Sequence, residues 1–336
     1  MLAARLFKCV SPSAKLAEFV PRQNPFRTQK FQLRNYSQDV RSRRRRTIDW
    51  KATKAEAETG TTDTPFAIGK AALIGGGVCG IGALCYYGVG LGNKPGFIDH
   101  SMVWPEYVKE RVQSTYMYFG GSLLFTSTAA AMAFRSPVIM NLVTRNGVIA
   151  LVVSLAAMIG SGEICRRIPY SPGIGIKQAA WVLHTSVVGA MIAPICLLGG
   201  PILLRAAWLT AGVVGGLSAV AACAPSDKFL YMGGPLAMGL GVVIASSIGS
   251  YFLPPTGLLG ASLYSISLYG GLLVMSGLML YDTQRIVHTA ETFRESPGRL
   301  YDPINMSIGI YLDTINIFIR IAAMLAGGGG GSNKKR

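Results

Sequence analysis

Residues 229–281, FLYMGGPLAMGLGVVIASSIGSYFLPPTGLLGASLYSISLYGGLLVMSGLMLY, contain no Asp, Glu, Lys or Arg. An α-helix crosses the hydrocarbon core of a bilayer in about 20 residues, so this run is long enough for two crossings. Pro254-Pro255 with Gly257 marks the turn between them. The run is continuously apolar and does not alternate, which suits helices and excludes a transmembrane barrel. Outward from it lie further apolar runs at roughly 66–91, 114–134, 146–165, 178–199, 204–223 and 303–325. The expected fold is therefore all-α: a polytopic helical membrane bundle of about eight spans, of which 146–165 is the shortest. Small residues recur four apart, as in Gly76/Gly80 and Gly212/Gly216, a spacing that lets helix backbones approach closely in a bilayer.

Composition supports this reading. Half of the 336 residues are hydrophobic, 14% are charged, Gly numbers 41, and the mean hydropathy is +0.39. A soluble protein of this length needs more charged surface. The net charge of +16 does not indicate nucleic-acid binding, because the excess sits near the N-terminus. Seven Lys/Arg fall in residues 1–36 against the single acid Glu18, and five Arg fall in 41–46.

That N-terminal stretch reads as an address. Arg5, Lys8 and Lys15 are interleaved with Leu2, Leu6, Phe7, Leu16 and Phe19. The pattern is basic, amphipathic and acid-poor, as in a mitochondrial presequence, and the apolar core of a secretory signal is missing. Arg34-Asn35-Tyr36-Ser37 has the form of a matrix-protease site, so residues 1–36 are expected to be removed and 37–65 to form a basic polar arm in the matrix. The cluster Arg41–Arg46 and an even number of spans place both termini on the matrix side, with 327–336 as a Gly-rich basic tail.

Other chemistry is sparse. Cys9, Cys79, Cys85, Cys165, Cys196 and Cys223 include no C-x-x-C pair and read as buried free thiols. His100, His184 and His288 are scattered without metal-ligand spacing, and His184 reads as a hydrogen-bonded structural residue. Trp104-Pro105 and Tyr107 suggest a short interfacial helix. Residues 282–302 read as the longest late loop. Glu163 with Arg166 and Arg167 reads as a lipid-facing cap or part of a vestibule. No cofactor is expected.

The informative polar residues come late. Asp313 is the only charged residue between Asp302 and Arg320, near the middle of the last apolar stretch. Asn305, Gly309, Asp313, Asn316 and Arg320 are spaced four, four, three and four apart, so on a helix they share one face. Asp282 closes the preceding apolar run. Acids in or beside spans are costly and usually bind an ion or carry a proton. Two carboxylates with Asn and backbone oxygens suit a hard cation such as calcium, so protons and a metal would compete at Asp282 and Asp313. Asn316 is a candidate to orient Asp313, and Arg285 and Arg320 are candidate counter-charges that could equally snorkel to the interface. Expelling a cation against a negative matrix costs about 2.3 kcal/mol per charge per 100 mV, and exchange for protons would offset it.

Gly200-Pro201-Ile202-Leu203 with Ala206-Ala207 and Thr210-Ala211, together with Leu280-Tyr281-Asp282-Thr283-Gln284 and Tyr311-Leu312-Asp313-Thr314, resembles the signature of the transmembrane BAX-inhibitor-motif family. The resemblance covers about residues 112–326, a seven-helix core. The extra span at 66–91, Ala83-Leu84-Cys85-Tyr86-Tyr87-Gly88 and Tyr301-Asp302-Pro303-Ile304-Asn305 narrow it to the mitochondrial inner-membrane branch. It implies a bundle that leaks or exchanges calcium under pH control, with Asp282 and Asp313 at the positions of the family's paired aspartates. The family latch also uses an arginine on an early helix, for which Arg135, Arg145 and Arg166 are candidates here. It further implies roles in cristae organisation and apoptosis control, and association with cytochrome c, an inner-membrane protease and inner-membrane lipid. The alternative is a scaffold or protease regulator without transport. An enzyme is not expected: aspartyl intramembrane proteases need Gly-x-Gly-Asp at the second acid, and this chain reads Ile310-Tyr311-Leu312-Asp313.

Overall fold

The computed structural model describes residues 63–88, 104–144, 148–225, 228–253, 257–297 and 300–328. All belong to one compact unit, Thr62–Arg336. The proposed presequence, nearly all of the basic arm and most of the tail lie outside the described residues.

Ten α-helices occur among the described residues: α1 (Asp63–Gly88), α2 (Glu106–Arg135), α3 (Pro137–Thr144), α4 (Val148–Arg167), α5 (Ile176–Ile192), α6 (Gly200–Cys223), α7 (Gly233–Phe252), α8 (Leu258–Ser265), α9 (Gly271–Thr292) and α10 (Pro303–Gly328). No β-strand is present among them. A 3-10 segment, Ala193–Leu198, continues α5, and a π-helical turn, Ile266–Gly270, joins α8 to α9 without a break. Seven helical stretches are long and apolar enough to cross a membrane: Thr64–Tyr87, Glu106–Arg135, Ile176–Leu198, Gly200–Cys223, Leu230–Phe252, Leu258–Thr292 and Pro303–Gly327. The expected run at 146–165 is the 20-residue helix α4 and is not among the seven.

Two sequence expectations are corrected. Pro105 does not open a separate interfacial helix. It is the N-cap of α2, which continues unbroken to Arg135. Nor does a loop begin at Asp282, because α9 runs ten residues further, to Thr292. Apolarity stops at Tyr281 but helicity does not. The second half of α9 is amphipathic and buries Gln284, Ile286, Val287 and Ala290.

α10 is the centre of the bundle, packed against α2, α6 and α9, while α2 and α5 share the most extensive helix–helix contact. α10 begins on a conventional start signal. Pro303 is its first residue, and the Asp302 carboxylate accepts a hydrogen bond from the Asn305 backbone N–H at 2.9 Å. The α2–α5 seam forms where Gly189 lets the helices meet. A Cβ there would fall 2.6 Å from the Thr126 carbonyl oxygen and 2.7 Å from the Ala129 Cβ. Trp181 Nε1 donates to Ser122 Oγ at 2.8 Å across the same seam. The glycine pairs singled out from spacing behave differently. Gly76 approaches Leu273, but Gly80, Gly212 and Gly216 face open space, which fits helix surfaces turned toward lipid.

Candidate functional site

The α9–α10 contact brings the two late aspartates into one region. Asp282 lies on α9 and is 9% exposed; Asp313 lies on α10 and is 7% exposed. The Asp282 carboxylate rests on the backbone of Gly309, one turn before Asp313, at a point where any Cβ would strike Oδ2. The two carboxylates are within electrostatic reach of each other. Asp313 Oδ2 is buried without a hydrogen-bond partner. A carboxylate removed from water is stable only if protonated, paired or ligating, so Asp313 is either held neutral there or takes a partner.

Asp282 lines a cavity of about 310 Å³ with Arg166, Arg285, Ile286, Asn305, Met306 and Gly309. Arg285 Nη1 lies 3.9 Å from Asp282 Oδ1 and its side chain is about half exposed, a loose, hydrated pair. Arg166, at the end of α4, also lies within electrostatic reach of Asp282 and holds Glu163 at 3.7 Å. Arg166 therefore reaches the Asp282 cavity, whereas Arg135 does not line it and Arg145 lies outside the described residues. Arg166 and Arg167 line cavities, as the vestibule alternative expects, whereas Glu163 lines neither of the two. A second cavity of about 290 Å³ shares Arg166, Asn305 and Met306 with the first and adds Tyr170, Thr289, Tyr301 and Asp302.

The polar stripe of α10 divides into two. At its N-terminal end Asn305 joins the cavities. At the other end Asn316, expected to orient Asp313, donates Nδ2 to the Leu312 carbonyl at 2.9 Å and accepts from Arg320 Nη1 at 3.0 Å. Arg320 is half-buried and turned onto the bundle. Its Nε donates to the Ser267 carbonyl at 3.1 Å and Nη1 to the Asn316 carbonyl at 3.1 Å. His184 bonds Ser161 Oγ through Nδ1 at 3.0 Å, while Nε2 is buried without a partner.

Lys177 was not anticipated. At the start of α5 its side chain is fully buried, and Nζ donates to the Cys165 carbonyl at 2.7 Å, the Ile168 carbonyl at 2.9 Å and Asn305 Oδ1 at 2.9 Å. Asp302 Oδ2 pairs with it at 2.7 Å. This single ammonium ties the end of α4 and the starts of α5 and α10 together beside the cavities. Nothing in the sequence distinguishes Lys177 from an ordinary span-flanking lysine, since its four partners come from two other segments, 165–168 and 302–305. Nearby, Tyr301 bonds Thr115 Oγ1 at 2.9 Å, and burial holds its phenol above the ordinary value. Arg111 covers the Tyr301 ring and donates to the Ala290 carbonyl at 2.9 Å and the Phe293 carbonyl at 3.1 Å, closing the C-terminal end of α9.

Among the described residues no group of three or more His, Cys, Asp or Glu side chains could hold a metal together. The oxygens available to a cation are the carboxylates of Asp282, which lines the cavity, and of Asp313; Asn305 Oδ1 is already held by Lys177. That set suits a transiently held hard cation.

A family model described as "Inhibitor of apoptosis-promoting Bax1" matches residues 108–330. The chain is 48% identical to growth hormone-inducible transmembrane protein of Rattus norvegicus over 90% of its own length and 88% of the other's. It is 26% identical to Bax inhibitor 1 of Drosophila melanogaster, over 65% and 83% of the two chains, and 32% identical to Bax inhibitor 1 of Homo sapiens, over 42% and 55%.

Proposed function

The chain belongs to the family of inhibitors of apoptosis-promoting Bax1, and from that premise we propose that it is a cation transporter of the mitochondrial inner membrane, exchanging or leaking calcium against protons at Asp282 and Asp313. One observation carries the reading. Two buried carboxylates lie on adjoining helices within electrostatic reach, Asp282 lines a cavity, and one oxygen of Asp313 has no partner. When both acids are ionised the pair repels, and a divalent cation or a proton relieves that repulsion. The two ligands therefore compete, which is the minimum requirement for exchange. Arg166 and Arg285 at the cavity wall compete for Asp282 as well, so calcium entry would require Asp282 to leave its arginine partners. The acid-poor N-terminus supports the inner-membrane address, and residues 37–65 would then form a matrix arm ahead of the span at 66–91. Calcium is cargo here and not a resident metal.

The test is calcium movement in proteoliposomes across imposed pH steps. Asp313→Asn keeps size and removes the charge; it should abolish pH-dependent flux while leaving expression and insertion nearly normal. Asp282→Asn should shift the pH dependence, because coupled acids titrate together. If both variants transport as the parent does at every pH, the site assignment is wrong and the scaffold reading replaces it.

A further inference from the structure

Arg320 takes no part in the exchange proposed above, yet it is half-buried on a membrane-spanning helix with only neutral acceptors: the Ser267 carbonyl, the Asn316 carbonyl and Asn316 Oδ1. No carboxylate pairs with it among the described residues. A guanidinium stays protonated, so this charge is permanent and uncompensated. Its seat has been shaped for it. The side chain lies over Gly271, where a Cβ would strike Nε. The carbonyl it binds belongs to the π turn Ile266–Gly270, and such turns redirect backbone groups and recur at functional sites. Ser267 Oγ is in turn bonded to Ser247 on α7 at 2.6 Å, which fixes the turn against a third helix.

Its position along α10 gives the charge a role. The Asp282 cavity is lined from α10 by Asn305, Met306 and Gly309, all before Asp313. Arg320 lies two turns after Asp313, about 10 Å further along the helix. It is flanked by Ile317 and Ile321 of an apolar cluster that also holds Met275. Asp313 thus stands between the cavity and Arg320. We propose that Arg320 is the closed gate of the cation route: its charge blocks passage from Asp313 toward the far membrane face, and a cation passes when the guanidinium leaves the Ser267 carbonyl. The inference rests on the aspartate site being a transport site. Once Arg320 has moved, the Ser267 carbonyl and Asn316 Oδ1 become neutral oxygens of the kind that ligate hard cations.

Calcium flux through the full-length protein in proteoliposomes tests this at fixed pH. Arg320→Gln keeps hydrogen-bond donors and removes the charge; it should raise flux about tenfold or more, since repulsion of a divalent ion across a low-dielectric interior is lost. Arg320→Lys keeps the charge and should remain near the parent rate. Gly271→Ala leaves every charge in place but pushes the guanidinium off its seat, and should give an intermediate rise. This variant keeps the test open if Arg320→Gln fails to fold. Arg320→Gln and Gly271→Ala at or below the parent rate, in a protein whose Asp313→Asn variant is silent, would overturn the gate and leave the site standing. Flux that survives Asp313→Asn overturns the aspartate site, and with it the gate as a barrier beyond that site.

Discussion

Lys177 shows how a full charge is kept inside the bundle: its ammonium meets a carboxylate, an amide oxygen and two carbonyls within 2.9 Å. Removing one partner of a buried pair leaves the other uncompensated and typically costs about 3–5 kcal/mol. Lys177→Met should therefore lower the thermal midpoint in detergent substantially. Because Asp302 also caps α10, the double variant with Asp302→Asn should recover part of the loss, the amide still accepting at the cap. A double variant less stable than Lys177→Met alone would show that the pair is not the source of the penalty. Gly309 offers a complementary test at the site. Gly309→Ala places a methyl against Asp282 Oδ2 and should shift the pH dependence of calcium flux as Asp282→Asn does, without removing any charge. Parent-like flux in this variant would mean that the seat of Asp282 on α10 does not matter. Asp282 and Asp313 could be found in the sequence because an acid in an apolar run is conspicuous. Lys177 could not, and Arg166 stood only as one candidate among three, because a cation at a span end is what any membrane protein shows.

At the scale of elements, the seams between helices sort the glycines. Gly189 lies where α2 and α5 touch through backbone atoms, and overpacking such a contact costs about 1–3 kcal/mol or more. Gly189→Leu should separate the two helices and lower stability accordingly. Gly212 faces open space, so Gly212→Ala should be neutral or stabilise by up to about 1 kcal/mol through helix propensity. Thermal unfolding of the two variants side by side checks both, and equal destabilisation would refute the assignment of the seam. Spacing alone pointed to Gly76/Gly80 and Gly212/Gly216, since a small residue every four positions looks the same on a buried or a lipid-facing stripe. The π turn was equally hidden. Ile266–Gly270 reads as ordinary apolar helix, and its altered hydrogen bonding is visible only beside Arg320 and Ser247.

For the whole molecule, the remaining expectations concern address and orientation. The mature protein in mitochondria should begin at or near Ser37, and mass spectrometry finding an intact Met1 terminus would refute this. With α4 as an eighth crossing beside the seven long apolar stretches, tags at either end should resist protease in mitoplasts with a sealed inner membrane; digestion of only one would mean an odd number of crossings. The sequence by itself determined the class of the protein. Apolar runs of span length, with no alternation and few charges, admit only a helical membrane bundle, because every backbone polar group in hydrocarbon must be satisfied within its own helix. It also determined the candidate acids and the approximate places of the spans, with errors at Pro105, where the first turns of α2 were read as a separate interfacial helix, and at Asp282, where loss of apolarity was read as loss of helix. The tertiary structure alone decided which charges share a cavity, that Asn316 serves Arg320, and that Lys177 holds three segments together. Those are contacts between helices distant in the chain, set by the angles and glycine-permitted approaches at which the helices pack, and a one-dimensional pattern carries no information about its partners across such a gap.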